Sequence, residues 1–333
     1  MDLRNSLKSL GPKTKTGLED LKTAFVNPAT PLPPDKLTNH IIGTYHRLRL
    51  GIGLMALFFP LLILAAGYYY DVALQDSFSA YYFGLPAADL QVNPKVFPGI
   101  FPTRVFFSGT LCALGVFMIL YKGFNFAEDI LLWFAGAAAI FVAIFPMWYN
   151  KLYPETGFAY QARFERYSII HYRAALVLFG CMVLVSWICA KTTLDDPQLS
   201  LPSSKAAWSD QHPRLASFFI AYFAPIALPT LWGIGALPTH KETFRRNYNW
   251  IGLAMVLFPS VATVLMWMLE WRTRWILLAE ALGVWTFAAF WLVKSRELSL
   301  SQPERTAIEN TMRASGGATT ANAAAKHPES RSE

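Results

Sequence analysis

The stretch LGIGLMALFFPLLILAAGYYY, residues 50–70, carries no charged side chain and ends in three tyrosines. A helix of about 20 apolar residues is what crosses the roughly 30 Å hydrocarbon core of a bilayer. Within that core the backbone must satisfy its own hydrogen bonds, which a helix does. These residues therefore predict a transmembrane helix, and the tyrosines are typical of the membrane interface.

Similar apolar stretches recur, and the chain is 54% hydrophobic and only 15% charged. We predict an all-α polytopic transmembrane bundle with seven spans, at Leu50–Tyr70, Val105–Tyr121, Ile130–Trp148, Ala174–Ala190, Leu215–Leu237, Trp250–Leu269 and Trp275–Val293. The fifth is the weakest of these, because Pro225 and Pro229 interrupt it and proline removes a backbone donor. A broken or re-entrant helix is the alternative there.

Polar sequence flanks these spans and predicts three regions. Residues 1–49 form a polar arm, residues 50–294 the transmembrane domain, and residues 295–333 a largely disordered tail. No cleavable signal is expected before the first span, because the preceding polar segment is too long for one. Arg47 and Arg49 abut the first span and no basic residue follows it until Lys95, which predicts a cytoplasmic N-terminus.

The polar break YKGFNFAEDI, residues 121–130, separates the second and third predicted spans. Glu128 and Asp129 are expected in the first turn of the third span, where carboxylates interact favourably with the helix dipole. Their role is therefore structural, with proton handling as the alternative. Glu280 differs, because it lies inside the seventh span, where an acid is by default a functional hypothesis. The alternative for Glu280 is an ion pair with Arg272 or Arg274.

Other polar residues lie at span edges that seven crossings would place on one membrane face. Tyr81, Arg104, His171, Arg246 and Asn247 would line a polar cup for an anionic headgroup, since arginine binds phosphate and carboxylate well. Ordinary interfacial anchoring is the alternative for them. Ser79 is expected on the same face as His171, and a serine nucleophile needs a base within hydrogen-bond reach. Ser79, His171 and Glu280 are therefore the candidate catalytic residues.

Several function classes are disfavoured by the sequence. The net charge of +7 is scattered among the connectors and forms no basic patch with interleaved aromatic residues, so no nucleic-acid partner is expected. The three cysteines fall within predicted spans without metal-ligand spacing, and no HExxH motif is present. We therefore predict no metal site and no cofactor.

Four stretches of the sequence form a recognisable set: SFSAYY (77–82), FFSGTLCALGVFMILYKGFNFAEDILLWFAGAAAIFVAIFP (106–146), IHYRAAL (170–176) and AEALGVWTFAAFWLVK (279–294). Together they resemble a family of uncharacterised bacterial polytopic membrane proteins. The chain departs from the family pattern at Phe83, where a histidine often follows the paired tyrosines, and at Phe124 in place of tyrosine. The resemblance implies a multi-pass protein of the bacterial inner membrane, and it implies no reaction.

The leading hypothesis is an integral membrane protein that binds a lipid headgroup or small ligand in the polar cup. The alternatives are a lipid hydrolase that uses Ser79 and His171, and a proton-coupled carrier that uses Glu280. Membrane lipids and a small-molecule ligand are the expected partners. The sequence leaves open whether the protein is an enzyme and whether it has protein partners.

Overall fold

A computed structural model describes residues 34–84, 101–147, 158–197, 199, 201, 207–269 and 275–312, and most of these residues are helical. The helices are α1 (Pro34–Tyr69), α2 (Pro102–Leu120), α3 (Phe126–Ile144), α4 (Phe158–Trp187), α5 (Thr192–Asp195), α6 (Trp208–Gln211), α7 (Pro213–Tyr222), α8 (Ala224–Gly233), α9 (Lys241–Leu269) and α10 (Trp275–Ser301). Two short 3-10 helices cover Ser79–Phe83 and Cys189–Lys191, and residues 303–312 are also helical. The predicted all-α fold is confirmed.

Within the described residues, five helical segments are long and apolar enough to cross a membrane. They are Lys36–Tyr69, Pro102–Leu120, Phe126–Ile144, Glu165–Asp195 and Ile276–Ser301. Large apolar side chains such as Phe58, Val105 and Leu176 point outward from them, with 54%, 68% and 76% of their surface exposed. Rows of outward apolar residues suit contact with lipid tails and are rare on soluble proteins. These helices are those of an integral membrane protein.

The predicted fifth span is not one continuous helix. It is divided at Phe223 into α7 and α8, which have 10 residues each. A helix of that length extends about 15 Å, half of the hydrocarbon thickness. The chain also returns to its starting point, because the Ser209 N–H donates to the Ala236 carbonyl at 3.3 Å. This segment is a helical hairpin, and the count of seven spans is not confirmed.

Proline explains why α7 ends and α8 begins at this point of the hairpin. Pro225 occupies the first turn of α8, where a missing backbone N–H removes no helical hydrogen bond. The same residue could not continue α7 without the loss of such a bond. Beyond α8, Gly235 has a φ of +65°, which glycine adopts without a steric penalty and which turns the chain back.

The predicted regional boundaries at 49/50 and 294/295 both fall inside helices, because α1 begins at Pro34 and α10 continues to Ser301. The chain divides into two compact units, Met1–Ile42 and Gly43–Glu333. In the first unit, residues 34–42 are helical. The predicted disorder of the tail concerns mainly residues 313–333, which lie outside the described part. The following paragraphs concern the second unit.

Contacts between helix ends define two ends of the bundle. At the end that we name the Arg49 end, the Tyr121 ring packs against Trp291 and the Lys294 ammonium donates to the Ala190 carbonyl at 2.8 Å. At the opposite end, the His171 end, the Phe78 N–H donates to Glu280 at 2.6 Å. Both α4 and α10 reach from one end to the other.

Two glycines allow α2 and α3 to approach closely. A Cβ atom added at Gly115 would lie 2.6 Å from the Gly136 carbonyl oxygen, and one added at Gly136 would lie 2.5 Å from the Gly115 oxygen. Small residues at helix contacts of this kind are typical of membrane proteins, since lipid tails give helices no hydrophobic reason to associate. The contact holds α3 close to α2 and so helps to position Phe145, the residue that follows the end of α3.

Candidate functional site

A cavity of about 350 Å³ lies at the His171 end. Its walls are mainly apolar and include Phe59, Phe107, Leu111, Val142, Leu178, Phe179 and Val284. The polar side chains on its wall are those of Asp76, Ser77, Ser79, His171, Tyr172 and Glu280. Small-molecule sites typically have volumes of 300–1,000 Å³, apolar walls and a few convergent polar groups. This cavity is therefore the candidate functional site, and it includes all three candidate catalytic residues.

Ser79 and His171 are hydrogen-bonded to each other in this cavity. The distance from His171 Nε2 to Ser79 Oγ is 3.1 Å, and His171 Nδ1 lies 2.7 Å from the Phe145 carbonyl oxygen. A carbonyl can only accept, so Nδ1 is the protonated nitrogen of the neutral ring. Nε2 then accepts the hydrogen bond that the Ser79 hydroxyl donates. Both side chains are buried, with 9% and 3% of their surface exposed.

Glu280 connects α10 to the segment that carries Ser79. Its carboxyl group accepts the Phe78 N–H at 2.6 Å, and the Leu277 N–H donates to the Asp76 carbonyl at 3.0 Å. These two bonds hold residues 76–78 against the start of α10. The alternative partners predicted for Glu280, Arg272 and Arg274, lie outside the described residues. Transport of protons by Glu280 stays a prediction.

Tyr81 and Arg104 lie near the cavity but do not line it. Tyr81 is 1% exposed, and burial raises the pKa of its phenol, so the hydroxyl stays neutral. Arg104 donates through Nε to the Tyr82 carbonyl at 3.0 Å. The Arg104 guanidinium also lies 4.1 Å from the centroid of the Phe101 ring. The structure thus uses Arg104 to anchor a loop, through a cation–π contact of the usual kind.

Arg246 and Asn247 lie at the Arg49 end, away from the other residues of the predicted cup. The Asn247 side chain accepts a hydrogen bond from Ser217, and the next residue, Tyr248, donates to Glu297. The part of α4 between His171 and Trp187 separates the two groups by about 24 Å of helix. The five residues predicted to line one polar cup therefore lie at two different ends of the bundle. The reason is that the hairpin α7–α8 returns the chain to the end from which it started.

Glu128 and Asp129 occupy the first turn of α3, where the sequence places them. Asp129 accepts the Gly123 N–H and pairs with Lys122, while Glu128 Oε2 accepts the Phe124 N–H at 3.0 Å. Asn125 caps the helix by accepting the Glu128 N–H at 2.7 Å. Among the residues that the structure describes, the second carboxyl oxygen of the buried Glu128 has no hydrogen-bond partner.

A buried ion pair at the Arg49 end was not predicted from the sequence. Lys294 Nζ lies 3.1 Å from Glu297 Oε2, and both side chains are 1% exposed. Tyr248 donates to the same carboxylate, and the Thr193 hydroxyl donates to its other oxygen at 2.5 Å. The sequence signal was the Lys–Glu spacing of three residues on one helix. Its burial is invisible in sequence, because Lys294 follows an apolar run as an interfacial residue would.

Arg49 forms a second buried pair at this end. Its guanidinium is 1% exposed and pairs with Glu304, which lies in helix 303–312 beyond α10. Arg49 was assigned to a polar arm, and Glu304 to a largely disordered tail. Both predictions missed the contact, since 255 residues separate the partners.

Comparison with known proteins identifies no relative. No family model, no curated protein and no solved structure matches this chain. The resemblance to bacterial polytopic membrane proteins stays a prediction, as does the inner-membrane location. Any conclusion about function therefore depends on the cavity and on the two ends of the bundle.

Proposed function

We propose that the protein binds one molecule of a neutral amphipathic lipid in the cavity at the His171 end. The acyl chain would contact the apolar wall formed by Phe107, Leu178 and Phe179. The polar end would contact Ser79, His171 and Glu280. Such a ligand has the same division into apolar and polar parts as the cavity.

The observation that carries this proposal is the convergence of Ser79, His171 and Glu280 on a cavity whose walls are mainly apolar. A polar group that is transferred from water into apolar surroundings costs free energy unless it is hydrogen-bonded. Ser79, His171 and Glu280 each have a hydrogen-bond partner, but an ionisable residue such as Glu280 within a membrane bundle is costly even so. Ionisable residues within membrane segments are functional by default.

A neutral headgroup suits the cavity better than an anionic one. The two arginines of the predicted cup are directed elsewhere, Arg104 to a backbone carbonyl and Arg246 to the Arg49 end. The cavity lining includes the carboxyl groups of Asp76 and Glu280, which can accept hydrogen bonds from hydroxyl groups, and none of its described lining residues is a Lys or Arg that could pair with a phosphate or carboxylate. A glycerol or other hydroxyl-bearing headgroup therefore fits the proposal.

Filling the cavity tests the proposal. Ala175 lines the cavity, so Ala175→Trp is expected to place an indole ring where the acyl chain would lie. We expect the affinity of the delipidated protein for monooleoylglycerol, measured by native mass spectrometry, to fall at least tenfold. Lipid extracted from the purified wild-type protein should contain a neutral acyl-chain species in about stoichiometric amount.

The matched control is Leu176→Trp, at the next position of α4, where the side chain is 76% exposed and points away from the cavity. This variant should bind monooleoylglycerol like the wild type. Equal loss of affinity in both variants, or tight binding that Ala175→Trp leaves unchanged, would contradict the proposal.

We also propose that the Arg49 end faces the cytoplasm. Connections at the cytoplasmic side of membrane proteins carry an excess of Lys and Arg. The contacts and connectivity of the second unit place most described basic residues at the Arg49 end, namely Arg47, Arg49, Lys122, Lys191, Arg214, Lys241, Arg245, Arg246, Lys294, Arg296 and Arg305. The His171 end has Arg104, Arg163, Arg166 and Arg173.

Cysteine labelling from outside the cell tests this orientation. We expect Ala73→Cys, at an exposed position of the His171 end, to react with a membrane-impermeant maleimide on intact cells. Lys122→Cys, exposed at the opposite end, should react only after the membrane is opened. The parent chain, with Cys181 and Cys189 buried, provides the background. The reverse labelling pattern would refute the proposed orientation.

A further inference from the structure

The Ser79–His171 pair has the hydrogen-bond arrangement of an activated nucleophile. An activated serine needs a base within about 2.6–3.2 Å, and the base needs a third group that orients it. Here the serine–base distance is 3.1 Å, and the Phe145 carbonyl at 2.7 Å is the orienting group. The carbonyl fixes the tautomer in which Nε2 has a free electron pair directed at the Ser79 hydroxyl.

The backbone around Ser79 explains how the pair is held. Ser79 begins the 3-10 helix Ser79–Phe83, and the N–H of the following residue, Ala80, donates to Ser77 Oγ at 3.1 Å. The N–H of the preceding residue, Phe78, donates to Glu280. Hydrogen bonds on both sides of Ser79 thus position its hydroxyl at the cavity wall. On the opposite side of the bond, α4 positions His171.

We infer that Ser79 is a nucleophile that accepts the acyl group of a carboxylic ester bound in the cavity. This inference rests on the proposed lipid-binding function and adds a substrate class, the neutral acyl esters. The apolar wall would receive the acyl chain and bring the ester carbonyl to the polar side. Ser77 lines the same cavity, and its hydroxyl donates to Met147 Sδ at 3.4 Å. The described contacts give Ser77 no imidazole partner.

The reaction balances with water as the only co-reactant. Ser79 Oγ forms a bond to the ester carbonyl carbon while its proton passes to His171 Nε2. The bond between that carbon and the alcohol oxygen then breaks, and Nε2 returns the proton to the departing alcohol. In the second half, His171 Nε2 removes a proton from water and the hydroxide attacks the acyl carbon. The bond between that carbon and Ser79 Oγ breaks, Nε2 returns the proton to Oγ, and a carboxylic acid and free Ser79 result.

The surroundings of Ser79 predict a slow enzyme. The Phe78 N–H, one residue from the nucleophile, is occupied by Glu280 and is not free to stabilise an oxyanion. Removal of a single oxyanion donor slows known serine hydrolases about 10²–10³-fold. A covalent probe is therefore a more sensitive test than turnover, because one reaction per molecule is enough for detection.

The test uses a long-chain alkyl fluorophosphonate on the full chain in detergent, with mass spectrometry of the intact protein and of its peptides. The Ser79 Oγ–phosphorus bond forms, fluoride leaves, and the serine proton passes to His171. We expect one label per chain, at Ser79. The label should be lost in Ser79→Ala and retained in Ser77→Ala, the matched control from the same cavity.

A variant of His171 tests whether Ser79 is labelled because His171 activates it or only because the probe can reach it. In His171→Asn the side-chain amide can still donate to the Phe145 carbonyl, but no base faces Ser79. The labelling rate should fall at least a hundredfold, the lower limit of general-base effects. Unfolding temperatures close to that of the wild type would show that both variants fold.

Two outcomes separate this inference from the proposed function. If the wild type binds monooleoylglycerol but acquires no label, or if Ser79→Ala is labelled as the wild type is, the nucleophile inference is overturned and lipid binding stands. If monooleoylglycerol does not bind at all, the proposed function fails and the inference fails with it.

Discussion

Replacing Lys294 with Met should lower the free energy of unfolding by about 3–5 kcal/mol. The substitution leaves the Glu297 carboxylate buried without its cation, and removal of one partner of a buried pair costs more than the pair contributes. Glu297 is 0% exposed, so water cannot replace the ammonium group. Unfolding in mixed micelles with increasing SDS, followed by circular dichroism, measures the change.

Two further variants make the interpretation specific. Lys122→Met removes the same side chain from an ion pair in which the lysine is 71% exposed, and we expect a loss below about 1 kcal/mol. Lys294→Met combined with Glu297→Gln should regain part of the lost stability, because no unpaired charge then stays buried. Equal losses for Lys294→Met and Lys122→Met would show that the buried pair has no special role.

Gly136→Leu should destabilise the protein by about 3 kcal/mol or abolish folding. Even the first side-chain atom would lie 2.5 Å from the Gly115 carbonyl oxygen, and that obstacle is backbone, which cannot rotate away. Separation of α2 from α3 is the expected response, and it would also displace Phe145 from His171. Thermal unfolding and the fluorophosphonate labelling rate should therefore decline together.

The matched control is Gly109→Leu, in α2. A Cβ atom there meets no other heavy atom within 4 Å, so the larger side chain has open space. Leucine is also a better helix former than glycine by roughly 0.8 kcal/mol. Stability should stay unchanged or rise slightly. If the two leucine variants unfold alike, the close crossing of α2 and α3 does not limit stability.

Hydropathy located the five helices that are long and apolar enough to cross a membrane, because the length and apolar character of a span are local properties of the chain, but it did not establish the count of seven. The boundaries of α1 and α10 were wrong for a physical reason. Arg49 and Lys294 were treated as the polar ends of spans, yet each is buried in an ion pair. Arg49 pairs with Glu304, which is distant in sequence, and Lys294 pairs with Glu297 on the same helix. A local sequence pattern shows neither the burial of these pairs nor the pairing of Arg49 with an acid 255 positions away.

The error at the fifth span shows how topology errors propagate. Prolines 225 and 229 were recognised as interruptions, but a kinked span and a hairpin have similar composition. Because this segment was predicted to cross the membrane once, every later connector was assigned to the wrong side of the bundle. Arg246 and Asn247 were therefore placed with His171, whereas the structure places them at the other end of α4. Ser79 and His171 precede the hairpin, so their assignment to one side was unaffected.

The pairing of Arg49 with Glu304 has a consequence for biosynthesis. The two residues are separated by 255 positions, which a ribosome needs roughly 13–50 s to translate at about 5–20 residues per second. During that interval the arginine has already entered the bilayer region while its acid does not yet exist. A nascent chain that stalls before codon 304 therefore carries Arg49 without its acidic partner, and we expect it to be less stable than the finished protein.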